Sequence, residues 1–173
     1  GVHTAQGSWS ARQGKFVPRR QLPVYERQLF PEKLLGEDNL PDWRKAGTTI
    51  SETDALRTWT LDGKVLIASI QSKMHAISPD VMEGLMEAVD LAEREYDGMV
   101  IWSGDAPFSV GADLQATMPA YVVAGIAAIE GVEHELQNLM LRLRYAQVPV
   151  VSAIHGMALG GGCELAVHSA RRV

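Results

Sequence analysis

The residues best placed to do chemistry lie in one stretch, Pro149-Val-Val-Ser-Ala-Ile-His-Gly-Met-Ala-Leu-Gly-Gly-Gly-Cys-Glu164. Pro149 to Ile154 is a short apolar run of β-branched character, with proline before it and glycines after it. That is how a buried strand reads. Gly160, Gly161 and Gly162 follow, and Cys163 to Arg172 carries no breaker and reads as a helix. The first N–H groups of a helix have no internal acceptor and sit at its positive end. Glycines let a ligand oxygen approach them with no Cβ in the way. Glu164, in the first turn, places a carboxylate beside that anion-friendly spot.

Two nucleotide-binding patterns compete for such a loop, and both fail on the letters. A phosphate loop needs Gly, four residues, then Gly-Lys-Ser or Gly-Lys-Thr. Gly156 and Gly161 have the spacing, but Gly162-Cys163 stands where the lysine and hydroxyl must be. The dinucleotide pattern Gly-x-Gly-x-x-Gly, directly after a strand, fits no register here. A glycine-rich turn can also be only a tight connection, so a second stretch matters.

That stretch is Ser103-Gly-Asp-Ala-Pro-Phe-Ser-Val-Gly-Ala-Asp-Leu114, directly after the apolar run Met99–Trp102. Gly111-Ala112 again puts small residues just past a strand. Donors from two successive strand ends can converge on one oxygen, which is what an oxyanion hole requires. Glycine pairs also fill ordinary loops.

The elements that must hold these stretches can be read in order. Trp59 to Ile70 is a hairpin signal, two β-rich runs around the two-residue turn Asp62-Gly63. Ser78-Pro79 starts a helix, with serine as N-cap and proline at the first helical position. Val81, Leu85, Val89 and Ala92 then recur at helical spacing. Asp97-Gly98 ends that helix before the strand Met99–Trp102. A longer helix is expected from about Pro119 to Tyr145, its apolar stripe including Ile126, Ile129, Val132, Leu136, Leu139, Met140 and Leu143. Alternating strands and helices after a hairpin define an α/β pattern.

Residues 1–50 differ. Gly1 to Gln13 is polar and aperiodic. Phe16 to Trp43 holds four prolines (Pro18, Pro23, Pro31, Pro41) among isolated large apolar residues. Prolines at that density stop long helices and central strands. We read 1–50 as an extended linker draped over a neighbouring surface, with short helical pieces near Tyr25–Leu29 and Pro31–Leu35, and 51–173 as the domain proper.

Composition narrows the classes. The 173 residues suffice for one domain with a real core. A net charge of −5, from 16 basic and 21 acidic residues, argues against a nucleic-acid surface. One cysteine, Cys163, rules out an intrachain disulfide and fits a reducing compartment. No apolar run has the length of a membrane span, and no signal-peptide pattern opens the chain. The expectation is a cytoplasmic protein with neither membrane nor nucleic-acid partner.

Phe108-Ser-Val-Gly-Ala-Asp-Leu114 and His155-Gly-Met-Ala-Leu-Gly-Gly-Gly-Cys-Glu-Leu165 together resemble the two signature segments of the crotonase (enoyl-CoA hydratase/isomerase) superfamily. Lys73-Met-His-Ala-Ile77 resembles, less specifically, its early acyl-CoA-contacting segment. The resemblance runs from about Trp59 to Val173. It implies a crotonase-like ββα spiral, incomplete at its C-terminal end. Phe16 to Glu37 more faintly resembles the joining segment of bacterial proteins in which a 3-hydroxyacyl-CoA dehydrogenase precedes a hydratase domain. By that likeness the chain is part of such a fusion, with NAD used by the dehydrogenase and no cofactor here beyond the acyl-CoA substrate.

The resemblance assigns roles by position. The backbone N–H groups of Ala112 and Gly161 would hold the thioester oxygen, and the carbonyl of Val110 would lie near the CoA adenine. Lys73, Ala76, Asp113 and Leu114 fall in the segments that contact CoA and substrate. Glu164 matches the first of two catalytic glutamates that activate water. One oxyanion donor is worth roughly 3 kcal/mol in comparable sites, and a placed carboxylate adds about 10²–10⁴-fold. The pattern departs at the second glutamate, because nothing in Leu165–Val173 is acidic. The implied activity is enoyl-CoA hydration in fatty-acid β-oxidation. A Δ3,Δ2-enoyl-CoA isomerase and a non-catalytic acyl-CoA-binding or assembly module stay open as alternatives.

Other side chains are better read as structural. Glu164 and His168 are four apart but lack a third metal ligand, and zinc sites need three or four. Cys163 reads as a buried small residue, His155 as a packing or capping residue, and Asp113 also as a helix N-terminal acid. Lys64 and Lys73 would by default be solvated, and Met82 and Met86 belong to a core. The apolar faces of the long helix lead us to expect a homo-oligomer, or contacts with other domains of the same polypeptide.

Overall fold

The computed structural model of the chain describes residues 3–4, 7–18 and 43–173. It divides into two compact units, residues 1–41 and 42–173. The helical pieces expected near Tyr25–Leu29 and Pro31–Leu35 lie outside the described residues.

In the first unit, β1 (His3–Thr4), β2 (Gly7–Ser10) and β3 (Lys15–Val17) form an antiparallel sheet in that order. A sheet thus stands where an aperiodic linker was expected. Its organising contact is a cross-strand pair, Trp9 opposite Phe16, with ring centroids 5.3 Å apart and edge-to-face. Such pairs stabilise a hairpin across the turn, and periodicity along one strand does not reveal them.

The second unit is built on a six-stranded mixed sheet of order β11-β10-β8-β6-β5-β4. Strands β4 (Thr48–Glu52), β5 (Leu56–Thr60) and β6 (Val65–Ile70) run antiparallel. β4 straddles the boundary expected at residue 50. The turn between β5 and β6 takes in Leu61–Lys64, wider than two residues. Asp62 Oδ1 accepts from Lys64 N at 2.9 Å and from Val65 N at 3.4 Å. Those backbone donors hold the Asp62 carboxyl below its usual range.

A short parallel pair follows, β7 (Ala76–Ile77) with β9 (Gly111–Ala112), separated in sequence by α1 (Pro79–Glu95) and β8 (Gly98–Ile101). Ser78 Oγ accepts from Val81 N at 3.3 Å, and Pro79 opens α1, as the cap pattern requires. The stripe Val81, Leu85, Val89, Ala92 is buried against the sheet. Gly84 lets the helix lie close, because a Cβ there would be 3.1 Å from Leu56 Cδ2.

The single helix expected from Pro119 to Tyr145 is two helices. α2 (Leu114–Ala124) begins earlier, because Asp113 Oδ1 caps it by accepting from Gln115 N and Ala116 N at 3.0 and 3.1 Å. Pro119 sits inside it. Gly125, at φ +67°, breaks the chain before α3 (Ile126–Arg144). The apolar stripe is buried only in its C-terminal half, Leu136, Leu139, Met140 and Leu143. Ile126 is 67% exposed, and on the uncharged α2 Leu114, Val122 and Val123 are exposed at 67%, 77% and 88%.

Strand β10 (Val150–Ser152) pairs in parallel with β8, and α4 (Gly161–His168) follows the glycine loop. The helix stops at His168 rather than running on to Arg172. Ser169 Oγ donates to Leu165 O at 2.8 Å and shares a 2.8 Å bond with Ser152 Oγ. Arg171–Arg172 then form β11, parallel to β10. Leu66, Ala68, Ile70, Val81, Leu85, Met99, Ile101, Leu139, Val150 and Leu165 share one core, each large side chain worth about 1.5–3 kcal/mol. No helix among the described residues is long and apolar enough to cross a membrane.

Candidate active site

Ala68, Ile101 and Ser152 lie abreast near the C-terminal ends of β6, β8 and β10. The three loops that leave these strands therefore start at one level, where open parallel sheets place their ligands. The loop after β8 is anchored at its root: Trp102 N donates to Ala68 O (3.0 Å), and Ser103 Oγ accepts from Ile70 N (3.3 Å).

That loop then runs beside the segment 72–77 as β9 pairs with β7. Val110 N reaches Met74 O at 3.4 Å, and Asp113 N reaches Ile77 O at 2.9 Å. Along a strand successive N–H groups face opposite sides, so the Ala112 N–H is turned away from β7. Gly161 opens α4. Gly162 N donates to Leu159 O (2.8 Å) and Glu164 N to Gly160 O (3.1 Å). The Gly161 N–H, at the first helical position, has no intrahelical acceptor.

The two donor-bearing loops touch. A Cβ placed on Gly161 would lie 3.8 Å from Ala112 N, 3.3 Å from Ile77 Cδ1 and 3.6 Å from Leu136 Cδ2. One on Gly111 would meet Leu159 O at 2.6 Å and Gly161 N at 3.1 Å. Gly111 also has φ +90°, so glycine is required there on both counts. The backbones of Ala112 and Gly161 thus stand side by side, against the side chains of Ile77 and Leu136.

Glu164 lies three residues after Gly161 and shares its face of α4; it is solvent-exposed. His168 Nδ1 bonds the Glu164 carbonyl oxygen at 2.9 Å, so its ring engages backbone and not the carboxylate. Among the described residues no group of three His, Cys, Asp or Glu could hold a metal ion.

Of the other residues singled out in the sequence, Ala76 pairs with Gly111 and Val110 is half-buried beside Met74. Lys73 is exposed in the same segment, and Leu114 is exposed at the start of α2. Asp113 spends Oδ1 on capping α2. Lys64 precedes β6 and sits at the far end of the strands from these loops. Cys163 is exposed and not a buried filler, because it lies on the solvent side of the first turn of α4 beside exposed Glu164.

Two residues were missed. His75 is buried, with φ +53°, and its Nδ1 bonds Pro107 O while Nε2 lies 4.0 Å from Asp105 Oδ1. Ser109, fully buried, bonds both this segment and the glycine loop. These contacts join segments thirty or more residues apart, so no local pattern carries them; the visible signal was a histidine and a serine inside the quoted segments.

Solved structures share this α/β arrangement of parallel strands ending in glycine-bearing loops. An enoyl-CoA hydratase/isomerase from Xanthobacter autotrophicus Py2 superposes with a TM-score of 0.62 at 23% identity, covering 70% of this chain and 46% of that one. An enoyl-CoA hydratase from Thermoplasma volcanium gives 0.61 at 22% identity, covering 69% and 48%. The enoyl-CoA hydratase/isomerase family model matches residues 64–170, which take in both donor loops and α4. The chain belongs to the enoyl-CoA hydratase/isomerase family. It is 32% identical over 111 residues to a probable 3-hydroxyacyl-CoA dehydrogenase of Bacillus subtilis, covering 64% of this chain. It is 36% identical over 107 residues to a putative fatty acid oxidation complex trifunctional enzyme of Rickettsia felis, covering 58%. The matched region spans 14% of either relative's length.

Proposed function

We propose that these residues form part of an enoyl-CoA hydratase site that adds water across the double bond of a 2-enoyl-CoA. What carries the reading is the meeting of Ala112 and Gly161 with Glu164 on the same helix face. The water oxygen bonds to C3, and the electron pair of the double bond moves toward the thioester carbonyl. The two N–H groups stabilise that enolate-like oxygen. Glu164 takes the proton from the water, and a proton is delivered to C2. Leu165–Val173 holds no acid, so on this reading the second carboxylate lies beyond Val173. Lys73, Ala76, Val110, Asp113 and Leu114 flank the CoA thioester.

The relatives named for fatty acid oxidation and for 3-hydroxyacyl-CoA dehydrogenase support a place in a multifunctional β-oxidation protein. NAD would then serve a dehydrogenase domain outside these residues. Other domains or further copies of the chain would cover the exposed apolar residues of α2, in a cytoplasmic assembly.

The test is hydration of crotonyl-CoA by the full-length protein carrying this chain, with Glu164→Gln beside it. Turnover should fall by about 10²–10⁴-fold with CoA binding retained. Unchanged turnover would remove Glu164 from the chemistry and favour Δ3,Δ2-enoyl-CoA isomerisation. CoA binding with no turnover in either protein would leave a binding module.

A further inference from the structure

We propose that Ser109 is a positioning residue whose hydroxyl sets the Ala112 donor while its main chain holds the loop before Gly161, an inference that rests on the hydratase-site reading above. Its hydroxyl donates to His75 O at 2.6 Å and accepts from Gly111 N at 3.1 Å. Its main chain joins the glycine loop: Ser109 N donates to Met157 O (3.1 Å), and Leu159 N donates to Ser109 O (3.0 Å). A Cβ on Gly162 would stand 2.7 Å from both Ser109 Cβ and Ser109 O. One fully buried residue thus touches the segment 72–77, the loop before Ala112 and the loop before Gly161.

The hydroxyl does what the backbone cannot. Any residue at position 109 would keep the two main-chain bonds to the glycine loop. Only the side chain ties Gly111 to His75. Gly111 sits at φ +90°, and glycine moves through that region at little cost. A rotation there swings the Ala112 N–H that follows. The hydroxyl restrains that rotation, and His75, itself held to Pro107 O, gives it a fixed anchor. The close contact requires glycine at 162, and at 109 the hydroxyl meets the bonding demand.

The experiment uses the full-length protein with Ser109→Ala and the near-isosteric Ser109→Cys. Crotonyl-CoA turnover is read together with the infrared band of a ¹³C-labelled thioester carbonyl in bound 3-hydroxybutyryl-CoA. Hydrogen exchange at Gly111 and Ala112 is followed without ligand. Ser109→Ala should lower kcat by about 10- to 100-fold, as expected for a misplaced catalytic donor, with little change in KM. The carbonyl band should move back toward its free position, and exchange at both amides should quicken. Ser109→Cys should fall between, and it supplies the same three readouts if the alanine variant does not fold. A wild-type band shift that persists unchanged in the variants, with unchanged exchange, overturns the role of Ser109 alone. No band shift in the wild type overturns the oxyanion reading and this role with it.

Discussion

The two ends of the parallel strands handle polar groups in opposite ways. At the end where β8 and β10 begin, charge is paired. Arg142 of α3 bonds Glu93 of α1 through Nη1 to Oε1 and Nη2 to Oε2, both at 2.7 Å, and adds Asp90 Oδ1 at 2.7 Å. Gln147 N donates to Glu93 Oε1 at 2.7 Å, and Met99 N and Asp97 N are taken by Pro149 O and Lys64 O. At the other end the backbones of Ala112 and Gly161 adjoin, and Gly111 and Gly161 keep that junction clear of side chains. Among the described residues no buried side-chain polar atom lacks a partner. On the hydratase reading proposed above, the paired end supplies stability and the other end chemistry.

The largest effect expected from breaking this division comes from Gly111→Ala. The new methyl would meet Leu159 O and Gly161 N, and φ +90° would strain any L-residue. The donor loops would move apart, and crotonyl-CoA hydration by the full-length protein should drop by about 10²–10³-fold, the value of one lost oxyanion donor. Activity within a few-fold of wild type would mean that the two donors do not act on one oxygen. Gly162→Ala strikes the same junction from the helix side. Alanine normally favours a helix, but here its Cβ would press on Ser109 O. The unfolding free energy should fall by about 1–3 kcal/mol, the usual cost of overpacking, measured by urea titration.

At the paired end, Glu93→Gln should cost about 1 kcal/mol and leave catalysis intact. The Arg142 guanidinium, with help from Gln147 N, holds the Glu93 carboxyl at about 2, below its ordinary 4.5. The folded value is the lower one, so the unfolded chain takes up the proton first as pH falls. The contribution is complete above pH 4.5 and is lost on descent through about pH 2. Thermal midpoints measured across that window should fall less steeply in Glu93→Gln than in the wild type. Parallel curves would show that the ion pair adds nothing to the fold.

Much of this division can be read from the letters, and the rest fails for physical reasons. Ser78-Pro79 announces α1 because capping is a local hydrogen bond. The strand-to-glycine transitions at Gly111 and Gly160–Gly162 announce the two loops that meet, because so close a backbone approach needs missing side chains. Reading Pro119 as a helix start went astray because the Asp113 cap lies further upstream and a later glycine, Gly125, makes the true break. β11 is two exposed arginines held by backbone pairing to β10, which leaves no hydrophobic pattern to find. Ser109 and His75 act through bonds between segments distant in sequence. A serine that restrains a loop and one that faces solvent are the same letter until the fold brings their partners in.

The smallest prediction sharpens the contrast between glycines that are needed and glycines that are tolerated. Gly131 lies within α3, is exposed, and a Cβ there would meet nothing within 4 Å. Gly131→Ala therefore removes backbone freedom from the unfolded chain without a clash, and should stabilise by about 0.5–1 kcal/mol. The same added methyl is thus expected to carry opposite signs at 131 and 162, because only one of the two helices has a loop pressed against its glycine. A urea midpoint raised at 131 and lowered at 162 would tie glycine use to contact. A loss of stability at 131 as well would mean that the outer face of α3 is packed against something in the full-length protein, and that the end bearing the glycine loops is not this unit's sole working surface.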